Sequence, residues 1–138
     1  MLLRVSFQDH FSTQASIYAK SRPRYPATLF AELAALAPAR TLAWDCGTGN
    51  GQAAAMLGEL FEQVIATEPS AAQLAEAVPH PRVRYEQSPA ERSPSIADAS
   101  VDLVTAAQAA HWFDRPAFYQ EVERVLRPGG VIALWTYE

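Results

Sequence analysis

Thr41-Leu42-Ala43-Trp44-Asp45-Cys46-Gly47-Thr48-Gly49-Asn50-Gly51 is the stretch on which the reading of this chain turns. Its first four residues are short and mostly apolar, as a buried strand requires. The rest carries glycine at 47, 49 and 51, a run that no helix would choose. The pattern predicts a buried strand breaking into a glycine-rich turn. Glycine has no Cβ and tolerates positive φ, so such a turn lets the backbone approach a ligand closely. From Gln52 to Glu62, Met56, Leu57, Leu60 and Phe61 fall on one face, which predicts a helix. Its N-terminus and the turn amides would form an electropositive mouth. Gly58 inside it costs about 1 kcal/mol relative to alanine.

Downstream, Val64 to Thr67 reads as a second strand ending at Glu68-Pro69, and Ser70 caps a short helix through Ala77. Arg82 to Glu86 alternates like an edge strand, and residues 88–100 form a loop rich in Ser, Pro and Asp. Val101 to Ala107 is another buried strand. Asp114 caps a helix with Phe118, Val122, Val125 and Leu126 inward, Pro128-Gly129-Gly130 ends it, and Val131 to Tyr137 is the last strand. Upstream, Leu29, Phe30, Leu33, Leu36 and Ala37 keep helical spacing between Pro26 and Pro38. Residues 1–25 are polar and aromatic with no clean period, with a short helix expected over Phe11 to Tyr18. The expected organisation is a single domain, with a helical cap over 1–38 and an α/β core over 39–138. Strands alternating with helices imply a doubly wound, Rossmann-like parallel sheet. Counting the core strands along the chain, the expected order is 3-2-1-4-5. Ligands of such sheets bind at the carboxyl ends of the strands, near the switch point, where the glycine turn lies.

Composition excludes several classes. A chain of 138 residues, 49% of them apolar, supports one hydrophobic core. The net charge of −4 disfavours a binder of nucleic-acid phosphates. Cys46 is the sole cysteine, which excludes an internal disulfide and a multi-cysteine zinc site; no metal is expected. No apolar run reaches the roughly 18 residues of a membrane span, and Met1-Leu2-Leu3-Arg4 turns polar too soon for a signal peptide. A cytoplasmic location without membrane contact is the expectation. With one lysine, Lys20, and no Gly-Lys-Ser/Thr, a Walker-type phosphate loop is absent. Charge is uneven: residues 1–40 sum to +3 and residues 41–138 to −7. That is either drift in surface composition or a basic segment covering a site for an anionic group.

Two acids qualify the glycine turn. Glu68 ends the second core strand nineteen residues after Gly49, where a carboxylate can accept hydrogen bonds from both hydroxyls of a ribose. Asp45 stands two residues before Gly47, and Gln52 occupies the place where a dinucleotide fingerprint wants glycine or alanine. Both features weigh against a nicotinamide site.

The run Asp45-x-Gly47-x-Gly49-x-Gly51, then Glu68, then Leu126-Arg127-Pro128-Gly129-Gly130, resembles the class I S-adenosylmethionine-dependent methyltransferases. Phe11-Ser12, Tyr18-Ala19, Arg22-Pro23-x-Tyr25-Pro26 and Gln108-Ala109-Ala110-His111-Trp112-Phe113 resemble, more closely, the small-molecule methyltransferases around trans-aconitate methyltransferase. The resemblance runs from about Phe7 to Tyr137. It implies S-adenosyl-L-methionine as cofactor and methyl transfer to a small-molecule acceptor by direct displacement. Asp45, Gly47, Thr48, Gly49 and Gly51 would wrap the methionine part, with Asp45 serving its ammonium. Glu68 with Pro69 would hold the ribose, and Ala90-Glu91 would meet adenine through a backbone amide and a carboxylate. Ala107 and Gln108 would line the cofactor beside the reacting methyl. Tyr18 and Arg22 would close over it, Tyr25 and Trp112 would line the acceptor, and His111 would line it or act as base.

The family's sheet usually continues past its fifth strand, so the chain is expected to be C-terminally incomplete. Val131 to Tyr137 is then left as an apolar sheet edge, which suggests a homodimer through it. Two rival expectations accompany this reading. One is a non-catalytic module working through that edge, the other a nicotinamide-dependent oxidoreductase domain.

Overall fold

The computed structural model describes residues 2–6, 26–107 and 114–136. Its elements in chain order are β1 (Leu2–Ser6), α1 (Ala27–Leu36), β2 (Leu42–Cys46), α2 (Gln52–Gly58) and β3 (Gln63–Glu68). There follow α3 (Ala71–Ala75), β4 (Val83–Gln87), β5 (Val101–Ala107), α4 (Arg115–Val125) and β6 (Leu126–Thr136). The sheet runs β1-β6-β5-β2-β3-β4 with every pairing parallel. Numbered along the core, β2 to β6 take the expected order 3-2-1-4-5.

Alternation along each strand divides the interior into two cores. On one face Ala43, Val64, Ala66, Leu103, Val131 and Ala133 pack against Leu29, Phe30 and Leu33 of α1 and Ala53, Ala54 and Leu57 of α2. On the other, Trp44, Cys46, Ile65, Val104, Ala106 and Ile132 pack against Phe118, Val122 and Val125 of α4. Strands buried on both faces read as the continuous apolar runs seen in the sequence.

The N-terminus departs from expectation. Leu2–Ser6 is not part of a helical cap but a sixth strand, paired with β6 in register from Leu2↔Ile132 to Ser6↔Thr136. Five residues are too few to display a period, yet enough to satisfy the backbone groups of an open edge. The edge at 131–136 is therefore covered by the chain itself. The expected homodimer contact, and the interaction module built on the same edge, lose their premise.

Smaller differences follow from packing. α2 stops at Gly58 rather than Glu62, and a Cβ at Gly58 would lie 2.7 Å from His80 Nδ1. His80, which the sequence suggests is a surface group, packs its ring there. α3 is shorter than expected and is capped as foreseen, with Ser70 Oγ accepting from Gln73 N. β6 starts at Leu126, directly after α4. The register slips between Val101↔Leu126 and Leu103↔Val131, and Arg127-Pro128-Gly129-Gly130 is absorbed there as an irregularity in the strand.

That irregularity is anchored by Asp102, which is 0% exposed. Its Oδ2 accepts from Thr41 N and Leu42 N, both at 3.0 Å, and its Oδ1 lies 3.2 Å from Arg127 Nε. Oδ1 is charge-paired without the alignment of a hydrogen bond. One buried carboxylate thus ties the amino ends of β2 and β5 to the Leu-Arg-Pro-Gly-Gly segment. Arg127 is 34% exposed, so the cost of losing the carboxylate falls chiefly on the Thr41 and Leu42 amides it leaves unpaired, about 1–3 kcal/mol. Asp102→Ala should lose that much in urea denaturation. A loss below about 1 kcal/mol would show that the tie is not a determinant of the fold.

Candidate functional site

Parallel strands deliver their carboxyl ends to one side, and there β2, β3 and β5 end together. Trp44 is wholly buried on β2, and its indole N–H donates to Thr67 Oγ1 at 2.9 Å, joining β2 to the end of β3. Asp45 follows, on the α2 face, opposite Thr105 in the β2–β5 register. It is 2% exposed. Thr105 Oγ1 donates to its Oδ1 at 2.7 Å and Thr48 Oγ1 donates to its Oδ2 at 2.6 Å. Burial pushes its carboxyl up to about 6, against the opposing pull of the two hydroxyls; the negative charge of Glu68 adds a smaller push.

The turn forms as foreseen. Gly47, Gly49 and Gly51 adopt φ of +68°, +59° and +83°, a region that side chains with a Cβ rarely enter. Thr48 N donates to Thr67 O at 2.9 Å and Gly51 N to Thr48 O at 2.9 Å. Glu68, at the tip of β3, accepts from Gly49 N at 2.9 Å through Oε1 and from Ser70 N at 3.0 Å through Oε2. One amide on each oxygen fixes the carboxylate and leaves a further lone pair on each for a ligand. Pro69 is held beside it, its carbonyl accepting from Gln87 Nε2 at 3.1 Å.

The loop after β4 is pinned from α4. Arg124 grips Glu121 through Nε at 2.6 Å and Nη2 at 3.1 Å. The same guanidinium donates to the carbonyls of Ile96 at 2.8 Å and Ser93 at 3.0 Å, and to Asp98. Glu121 in turn receives the Ser93 amide and hydroxyl. The Arg124 hydrogen bond, first among these contacts, holds the Glu121 carboxyl down at about 2. Ala90, in this loop, is buried behind Cys46, whose thiol is 4.0 Å from the Ala90 carbonyl. Glu91 is tied to α4 as well. Its Oε1 accepts from Asp114 N at 2.9 Å, at the N-cap of α4.

The structure therefore brings together Asp45, Gly47, Thr48, Gly49, Gly51, Glu68 and Pro69, and places Ala90 behind Cys46 and Ala107 at the end of β5. Tyr18, Arg22, Tyr25, Gln108, His111 and Trp112 lie outside the described residues. Sequence reasoning missed Thr105, Ser70 and Tyr85. Thr105 carried one signal, a hydroxyl in the middle of an apolar strand, but its partner appears only once strand order sets Asp45 opposite it. Among the described residues there is no group of three or more metal-ligating side chains that could hold an ion, and no helix long and apolar enough to cross a membrane.

The family model described as "Methyltransferase domain" matches residues 44–134. A Dictyostelium discoideum protein assigned as a methyltransferase is 40% identical over 132 residues, 95% of this chain and 50% of its own length. A Saccharomyces cerevisiae protein assigned as an S-adenosylmethionine-dependent methyltransferase is 32% identical, over 90% of this chain and 45% of its own length. The solved structure of an Anaeromyxobacter dehalogenans protein assigned as a type II methyltransferase superposes with a TM-score of 0.77 at 52% identity. It covers 81% of this chain and 48% of that one. The chain spans about half the length of the curated relatives it matches. Neither a nicotinamide domain nor a non-catalytic module is favoured by these likenesses. Strand order, glycine turn and family match agree, and the chain belongs to the methyltransferase-domain family of class I S-adenosylmethionine-dependent methyltransferases.

Proposed function

We propose that the chain binds S-adenosyl-L-methionine at the carboxyl ends of β2, β3 and β5 and serves methyl transfer to a small-molecule acceptor. The observation that carries this is the Glu68 carboxylate, aimed by the Gly49 and Ser70 amides and with acceptor capacity unspent. The chemistry of the donor set fits the cofactor: a carboxylate for a diol, a buried carboxylate for an ammonium, and glycine backbone where a Cβ would obstruct. When bound, the cofactor supplies a methyl group on a sulfonium, which becomes neutral as the methyl leaves.

Each residue of the chain has a defined task in this reading. Glu68 accepts hydrogen bonds from the ribose hydroxyls, and Pro69 and Ser70 shape the strand tip that presents it. Asp45 supports the ammonium, directly or through Thr48, and the turn 47–51 closes on the amino-acid part. Ala90 offers its backbone to the base, while Glu91 ties that loop to α4. By the family resemblance, Ala107 and Gln108 would line the cofactor beside the reacting methyl, Tyr18 and Arg22 would close over it, and Tyr25, His111 and Trp112 would line the acceptor. No nucleophilic side chain is required, because alignment and water exclusion supply the catalysis. A carboxylate acceptor needs no base; a carbon or phenol acceptor would use His111.

Calorimetric titration with S-adenosylhomocysteine tests the reading. One-site saturable binding is expected, and no binding by a folded chain would overturn it. Glu68→Ala should weaken that binding by about 1.5–3 kcal/mol, the usual worth of hydrogen bonds to a charged group.

The raised Asp45 carboxyl adds a pH signature. Below about pH 6 it holds a proton that an ammonium must displace. Affinity should therefore fall by up to about tenfold per pH unit under that point. Asp45→Asn should bind weakly and lose this slope.

The unliganded chain should show the converse in stability. Burial pushes the folded carboxyl up to about 6 from the usual aspartate value of about 3.9, so the native state binds more protons than the unfolded chain between those values. The associated stability is present below the lower value and is lost as pH rises through the upper one, by up to about 3 kcal/mol. Asp45→Asn should recover part of it at pH 7.5 in urea denaturation. An unaltered or lowered midpoint would mean that the buried charge is compensated by its two hydroxyls.

A further inference from the structure

The contact that the function above does not use lies under the last glycine of the turn. Tyr85, on β4, sits opposite Ala66 in the β3–β4 register and packs half-buried against the α2-side core. Its ring passes beneath Gly51. A Cβ there would lie 2.7 Å from Tyr85 Cε1 and 2.8 Å from Cζ, so only glycine admits the ring at this height. The hydroxyl donates to the Val78 carbonyl and lies 3.5 Å from the Gly51 carbonyl. Val78 N donates back to Asn50 O at 2.8 Å. The turn and the segment after α3 are thus stitched together twice, once through backbone and once through Tyr85. Burial, with the charge of Asp45 adding to it, pushes the phenol up to about 12, so it remains a donor throughout the working pH range.

We propose that Tyr85 is a positioning residue of the cofactor site, whose hydroxyl fixes the glycine turn against residues 77–79 and so sets where the turn backbone meets the ligand. The proposal rests on the nucleoside-cofactor reading for its consequence, but not for its geometry. A tyrosine on β4, at the edge of the sheet, would otherwise be an ordinary amphipathic residue. What distinguishes it is that its polar end reaches the ligand-facing turn rather than water.

The test compares Tyr85→Phe with Val83→Ala, which trims the same face of the same strand two residues away. Each purified 138-residue chain is titrated with S-adenosylhomocysteine, melted, and followed by amide hydrogen exchange. Tyr85→Phe should weaken binding at least fivefold and raise exchange at the Val78 amide about tenfold. Val83→Ala should lower the melting temperature with binding changed less than twofold. Equal affinity loss in both variants, or affinity in Tyr85→Phe within twofold of the parent, would overturn the proposal and leave Tyr85 a packing residue. If the parent chain itself does not bind, the cofactor reading fails. The positioning role at a cofactor site then falls with it; faster Val78 exchange in Tyr85→Phe would support only the tie between the turn and residues 77–79, and unchanged exchange would overturn that tie too.

Discussion

A buried carboxylate held by two hydroxyls is the constraint around which the rest is arranged. Asp45 can be held this way only if β5 lies beside β2 in the register that opposes it to Thr105, and only if the chain then turns sharply enough to return Thr48. The first condition fixes the switch point of the sheet. The second requires left-handed glycines at alternate positions, 47, 49 and 51, which lead the chain from β2 into α2. Neither hydroxyl neutralises the charge. Burial therefore raises the carboxyl despite both bonds, and the charge is held at some cost in stability.

The opposite end of the sheet shows how a similar charge is handled when stability is the purpose. Asp102 is equally buried, but two backbone amides and the Arg127 guanidinium meet it. The Leu-Arg-Pro-Gly-Gly segment, which in sequence stands beside the site motifs, belongs to this end. It takes part in the architecture that aligns the strands rather than in the chemistry at their tips. Two aspartates in buried strands are indistinguishable by composition; their neighbours in space separate them.

This explains what the sequence disclosed and what it withheld. Periodicity and punctuation sufficed for the five core strands and the glycine turn, because these signals are local. The strand order came with the family resemblance, since the handedness of crossovers makes the sheet doubly wound without choosing among its possible orders. β1 was hidden because five residues show no period and its partner lies about 130 positions away. The end of α2 was misplaced because His80, distant in sequence, occupies the space over Gly58. The bond from Asp114 N to Glu91 gave no sign in the sequence, because it exists only after α4 has packed. The missed residues, Thr105 and Tyr85, share this dependence on register.

The described part of the site is made of strand tips and backbone amides, each fixed by at least two hydrogen bonds. Glu68 takes Gly49 and Ser70, Thr48 is held by Thr67 and Asp45, and the loop after β4 is clamped by Arg124 and Glu121. The bonds from Gly49 to Glu68 and from Thr105 to Asp45 join residues far apart in sequence, so neither forms until the sheet has taken its order and the glycine turn has closed. The shape of this end of the sheet is therefore a property of the whole fold, and a change in the register of β2 would part Asp45 from Thr105 and Gly49 from Glu68 together.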